Sequence, residues 1–92
     1  MASRAVEVTP LAWEDINRAL VQAEAERPGG GEALLREILQ AGRDAARDPS
    51  GGRPFTAPGR IPRAYRCLNL ASWRIFCRVT EDRLLMVRCL RS

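Results

Sequence analysis

Three cysteines, seven arginines and a single tyrosine fall within "RAYRCLNLASWRIFCRVTEDRLLMVRCLRS", residues 63–92 of a 92-residue chain. Such a set suggests three chemistries: a metal site, thiol redox or nucleophilic work, or a basic surface that grips an acidic partner. Zinc sites draw on ligands two to four residues apart, backed by histidine. Cys67, Cys77 and Cys89 stand ten and twelve residues apart with no histidine anywhere, so no metal is expected. A thiolate nucleophile needs a nearby base, and imidazole is not available. A disulfide is disfavoured in a reducing compartment, and buried thiols behave as small apolar groups. The basic surface is the expectation that remains, with no cofactor.

Composition narrows the chemistry further. The chain has no histidine and no lysine, and all 15 basic residues are arginine. Arginine stays charged and presents a planar fork of donors suited to carboxylates and phosphates. The charge is uneven. Residues 1–48 hold six arginines against nine acids, a net of −3, and residues 49–92 hold nine against Glu81 and Asp82, a net of +7. A basic half of this size is an electrostatic footprint for nucleic acid or for an acidic protein. The length predicts one domain spanning residues 1–92, with a small core that a permanent partner would help to stabilise. No segment reaches the roughly 18 continuous apolar residues of a membrane span, and "MASRAVEVTP" lacks the apolar core of a secretion signal. The expected location is the cytoplasm, with no membrane partner.

These residues must be positioned by a few short elements. "RAVEV" (4–8) alternates as a strand. In "TPLAWEDINRALVQAEAE", Thr9 suits an N-cap and Pro10 the first helical position. Glu14 and Asp15 stand in the early turns, and Trp13, Ile16, Leu20 and Ala23 make an apolar stripe. "RPGGG" (27–31) stops this helix. A second helix follows over about Glu32–Arg47, with Leu34, Leu35, Ile38, Leu39, Gly42, Ala45 and Ala46 as its buried side. Close packing against the first helix is the expected reason for Gly42. The two helices form an antiparallel hairpin. "DPSGGRPFTAPGRIP" (48–62) reads as a loop.

Three strands end the chain: "AYRCLNL", a turn near Ala71–Ser72, then "WRIFCRV" and "RLLMVRCL" around a tip at Glu81–Asp82. A two-residue turn there would set Val79 opposite Leu84, Cys77 opposite Met86 and Ile75 opposite Arg88. Alternation then gives Trp73, Ile75, Cys77, Val79, Leu84 and Met86 one face, toward the helices. Arg74, Phe76, Arg78, Leu85, Val87 and Cys89 take the other. A fully solvated face has no need of Phe76, Leu85 and Val87, so a partner is expected to cover part of it. The expected core joins Trp13, Ile16, Leu20, Leu35, Ile38 and Leu39 to Trp73, Ile75, Cys77 and Met86.

The order strand, helix, helix, loop, three strands, carrying "VEVTPLAWEDI", "DPSGGRPF" and "YRCLNLASWRIFCRVTEDRLLMVRCL", resembles the RelE/ParE superfamily of bacterial toxins from type II toxin–antitoxin pairs. The resemblance covers roughly residues 4–91 and rests on the order and spacing of the whole set. It implies an α+β fold, β-α-α-β-β-β, with a helical hairpin packed on a small, mostly antiparallel sheet. It also implies a cognate antitoxin as partner and a free or antitoxin-bound oligomer. The superfamily's ParE-like branch poisons DNA gyrase and stabilises plasmids; its RelE-like branch cuts mRNA in the ribosome. The long hairpin and the "GGRPF" loop are closer to the ParE-like branch.

Carried onto matching positions, the resemblance places Arg74 where RelE-like toxins have a phosphate-contacting arginine, and Arg66 near one of their lysines. The nuclease candidates are therefore Arg66, Arg74, Arg78 and Tyr65. The expected surface for target or antitoxin is Arg66, Arg74, Phe76, Arg78, Leu85, Val87, Arg88 and Arg91. RNA cleavage needs groups that move protons. Arginine stays protonated, and the usual tail with its aromatic acid–base has no counterpart after the last strand. The expectation is thus a ParE-like, non-catalytic toxin. A ribosome-dependent mRNA endonuclease and a degenerate, non-toxic binding module of the same fold are the alternatives.

Overall fold

A computed structural model describes residues 4–47, 53–54 and 65–92. Strand β1 is Ala5–Val8, helix α1 Pro10–Glu26 and helix α2 Gly30–Arg47; strands β2 (Arg53–Pro54), β3 (Tyr65–Asn69), β4 (Trp73–Val79) and β5 (Arg83–Arg91) follow. The sheet has the order β1-β5-β4-β3-β2. Only the β1–β5 pair is parallel, and the other pairs are antiparallel. The expected α+β order is present with one addition, the two-residue β2. The glycines and prolines around it hid this strand. Pro54 cannot donate to a ladder and is tolerated because β2 is an edge. The rest of the expected 48–62 loop lies outside the described residues.

Local chemistry accounts for the helix ends. Thr9 is extended and its Oγ1 accepts the Ala12 N–H at 3.2 Å, with Pro10 at the first helical position. Gly29 turns the chain with φ +81°, a conformation that favours glycine. The glycine run does not delay the second helix, as the sequence suggests; α2 begins within it, at Gly30. A Cβ on Gly30 would stand 2.5 Å from the Ala23 carbonyl oxygen, and one on Gly31 2.9 Å from that of Leu20. Glycine here lets the helices approach, and Glu24 seals the junction. Its carboxylate accepts the Gly29 N–H at 3.0 Å and the Gly31 N–H at 3.1 Å.

One core lies between the helices and the sheet. Ala12, Ile16, Ala19, Leu34, Ile38, Ala45 and Ala46 meet Leu68, Trp73, Ile75, Cys77, Leu84, Met86 and Cys89. The sheet half and Ile16 and Ile38 match expectation. Trp13 and Leu39 do not: they are 44% and 42% exposed. Leu20 and Leu35 are only partly buried. The true stripe of α1 runs through Ala12, Asp15, Ile16 and Ala19. Small alanines and a buried aspartate carry it, so larger side chains one position away drew the reading off axis. Gly42 also packs differently than expected. Its Cβ would meet Met86 Cε at 2.5 Å and Val6 Cγ1 at 3.5 Å, so its close neighbours belong to the sheet and not to α1.

Candidate target-binding surface

The β4–β5 hairpin positions the candidate residues. Its tip is the expected two-residue turn: the Thr80 N–H donates to the Arg83 carbonyl at 2.9 Å, and the Arg83 N–H to Thr80 Oγ1 at 3.0 Å. Val79 faces Leu84, Arg78 faces Leu85 and Cys77 faces Met86. The register then slips. Phe76 faces Arg88 and Ile75 faces Cys89, which corrects the expected Ile75–Arg88 pair and leaves Val87 as an extra residue in β5. Such a bulge re-aims everything beyond it. It sits where β1 stops pairing. There Thr9 donates its N–H to the Met86 carbonyl at 3.0 Å and its hydroxyl to that of Val87 at 3.4 Å.

The slip turns Cys89 into the core, 3% exposed, against the expectation that it faces outward. All three cysteines are buried and none is in a disulfide. Burial pushes the Cys77 thiol up to about 12, with a smaller contribution from Cys67. Burial and then the charge of Asp15 push Cys89 up to about 11. At neutral pH Cys77 and Cys89 are packing groups, and no cluster able to hold a metal ion exists among the described residues.

Away from the helices, the registers assemble a compact face. Arg78 stands between Tyr65 and Leu85, Phe76 between Cys67 and Arg88, and Arg74 between Asn69 and Leu90. Arg74 and Arg78 are exposed, while Phe76 and Leu85 are half-buried. The two arginines make no hydrogen bond or ion pair with the described residues. Four residues of strand separate them by about 13 Å.

Of the remaining candidates, Arg66 and Arg91 pair with core-side residues, while Arg88 stays in register with Phe76 but is tied to α1. Arg66 pairs in register with Cys77, the core-side residue. Strand alternation therefore sends Arg66 toward the helix side, and its Nη1 donates to the Tyr65 carbonyl at 3.0 Å. Val87 is the bulge residue. Arg88 Nε donates to Asp15 Oδ2 at 2.7 Å and its Nη2 to Oδ1 at 3.4 Å. Arg91 donates to Glu26 Oε1 at 2.8 Å and lies 5.1 Å from the centroid of the Trp73 ring.

Asp15 is the residue that sequence reasoning missed. Its carboxylate is buried, and besides Arg88 it accepts the Cys89 N–H at 3.0 Å. Burial alone would raise its pKa. The Arg88 hydrogen bond, the Cys89 N–H and the charges of Arg88 and Arg18 outweigh that, and the carboxyl titrates below the ordinary 3.8. The signal for its role was its position between Ala12 and Ile16–Ala19 on the buried side of α1.

No family model and no curated protein matches the sequence. Solved structures do. A chain of the chromosomal ParDE toxin–antitoxin system from P. aeruginosa superposes with TM-score 0.75 at 17% identity, covering 97% of this chain and 96% of that one. The fold is that of the RelE/ParE toxins. A chain of the RelBE2 toxin–antitoxin complex from Mycobacterium tuberculosis gives 0.68 at 16% identity, covering 99% and 100%. One from the E. coli DinJ-YafQ toxin–antitoxin complex gives 0.58 at 15% identity, covering 98% and 93%. Both the ParE and the RelE sides of the fold are thus represented. In this RelE/ParE fold, no helix among the described residues is long and apolar enough to cross a membrane.

Proposed function

We propose that this chain is the toxin of a type II toxin–antitoxin pair, ParE-like, that acts in the cytoplasm on DNA gyrase and is neutralised by a cognate antitoxin. The observation that carries the reading is the outer sheet face, where Arg74 and Arg78 flank Phe76 and remain unengaged by the described residues. Interfaces of this kind set apolar anchors among charged rim groups. The surroundings favour binding over catalysis. Arginine does not release its proton, and the neighbouring thiols are held protonated by burial.

An antitoxin has a natural seat. Trp13 and Leu39 leave large apolar surface exposed on the hairpin, and an acidic, amphipathic segment running from there onto the arginine face would cover both. Co-purification from the native operon should yield a stable complex. A monomeric, inert protein in that preparation would count against the antitoxin.

One observation favours the endonuclease as second reading: Tyr65 stands beside Arg78, a phenol next to a guanidinium. The deciding experiment is inducible expression of the chain, alone and with the neighbouring small open reading frame, following growth, DNA supercoiling and message cleavage. The gyrase reading expects blocked replication and a DNA-damage response with bulk mRNA intact. Message cleavage in the ribosomal A site before any DNA effect would replace it with the nuclease.

A further inference from the structure

Strand β5 outruns the strand beside it. Strand β1 pairs with it only from Arg83 to Met86 and ends at Val8, while β5 continues to Arg91. Beyond that point the hydrogen bonds show which peptide groups look outward. The Ser92 N–H donates to the Ser72 carbonyl at 2.9 Å, so Arg88 and Leu90, in alternation with Ser92, turn their peptide groups toward β4. Cys89 and Arg91 turn theirs the other way, to the edge. On that edge Thr9 Oγ1 donates to the Val87 carbonyl, and Asp15 accepts the Cys89 N–H. The Cys89 carbonyl and the Arg91 N–H have no hydrogen-bond partner among the described residues.

This edge does not lie flush against α1. A hollow of about 210 Å³ separates them, with Asp15, Arg18 and Gln22 on the helix side and Cys89, Leu90 and Arg91 on the strand side. A carbonyl and an N–H on either side of one strand residue are what an added strand bonds to, and open edges recruit extended segments by that route. The side chains around the edge select the segment. Leu90 is 39% exposed and lies on the outer face, in register with Arg74. A residue added beside Leu90 would share that face, and its neighbours would point toward α1. The charges on that side do not cancel. Asp15 is engaged by Arg88 and Glu26 by Arg91. Arg18 only approaches Asp15, at 3.8 Å, with its side chain 76% exposed. It is the surplus cation of the hollow.

We infer that the open edge of β5 from Cys89 to Arg91 takes up a short extended segment of a partner protein in which apolar and acidic residues alternate. The main chain of that segment donates to the Cys89 carbonyl and accepts from the Arg91 N–H. An apolar residue rests on Leu90, and an acidic one reaches Arg18. The inference does not depend on the toxin reading, and its test requires no toxicity.

The probe is a capped pentapeptide, Ser-Val-Glu-Val-Ser, titrated into the full chain labelled for backbone amide spectra. In the free protein the Arg91 amide should exchange with solvent fast, while the bonded Cys89 and Ser92 amides exchange slowly. With peptide at about ten times its Kd, exchange at Arg91 should slow about tenfold. The version with lysine for glutamate should not give this protection. Arg18→Gln should weaken the glutamate peptide by about two- to fivefold, as loss of an exposed charge pair does. Equal protection by the lysine peptide, or unchanged affinity in folded Arg18→Gln, would overturn the inference. So would shifts centred on Arg74, Phe76 and Arg78 with the Arg91 amide still exchanging fast. Should Arg18→Gln fail to fold by circular dichroism, the Arg91 amide of the wild type still decides it.

Discussion

Two strands of one hairpin use arginine in opposite ways. On β5, Arg88 and Arg91 are tied to Asp15 and Glu26 of α1. On β4, Arg74 and Arg78 face outward with no partner among the described residues. The residue type is the same, and the spacing in sequence is similar. What differs is the neighbouring layer. Past Val8 no strand among the described residues covers the edge of β5, and α1 lies there, its acids reaching the edge. Strand β4 is flanked by strands on both sides, so its outward arginines meet no helix. Arg88 and Arg91 of β5 thus tie the sheet to α1, and Arg74 and Arg78 of β4 stay exposed without an ion pair among the described residues.

The largest effect expected from breaking this arrangement lies beneath both strands. Ile38 is 1% exposed in the shared core, and Ile38→Ala should cost about 2–5 kcal/mol. In a domain this small that approaches the whole folding free energy. Chemical denaturation should show a population unfolded before denaturant is added.

Next comes the clasp at β5. Asp15→Ala strands the buried Cys89 N–H, at a cost of about 1–3 kcal/mol. The clasp also makes stability depend on acid. Because the folded protein holds Asp15 below 3.8, its contribution is complete above the ordinary aspartate range and is lost as pH falls through the folded value. Melting temperatures followed from pH 6 downward should fall for the wild type below about pH 4. Asp15→Asn should start lower and lose less over that window. Parallel acid profiles for the two proteins would remove Asp15 from the account.

Trp13 sharpens the contrast between pattern and packing. The apolar spacing of the sequence assigns it to the core, but it is 44% exposed. Trp13→Ala should therefore cost about 1 kcal/mol or less, while weakening capture by a co-expressed antitoxin. A loss matching that of Ile38→Ala in the same denaturation series would return Trp13 to the core.

The sequence was most readable where chemistry is local. Thr9–Pro10 announced the start of α1, and alternation with a two-residue turn fixed the pairs Val79–Leu84 and Cys77–Met86. It was least readable where one element answers another. Nothing in "MVRCL" marks Val87 as an extra residue, because the bulge is set by Thr9 and the end of β1. Without the bulge, Cys89 reads as outward and Arg88 as the partner of core-side Ile75. The face of Arg66 was not legible for a related reason: a five-residue strand with mixed side chains does not reveal which face it buries. Of the proposed surface, the part on β4 was legible because every second residue there is buried and the alternation is unbroken.

The smallest effect on stability belongs to the residues with the largest expected effect on function. Arg74 and Arg78 lie on an exposed face and hold no described group in place, so Arg74→Ala and Arg78→Ala should each shift stability by about 0.5 kcal/mol or less. Each nevertheless removes a fixed charge from the proposed contact with the target, where charge-assisted hydrogen bonds are among the stronger ones. Toxicity on induction should fall sharply in both, at unchanged protein level and unchanged melting temperature. Arg88→Ala is the opposite control: it leaves the Asp15 carboxylate buried without its main partner and should lower the melting temperature. If Arg74→Ala and Arg78→Ala melt as early as Arg88→Ala, the arginines of β4 are as structural as those of β5, and the outer face loses its claim as the functional surface.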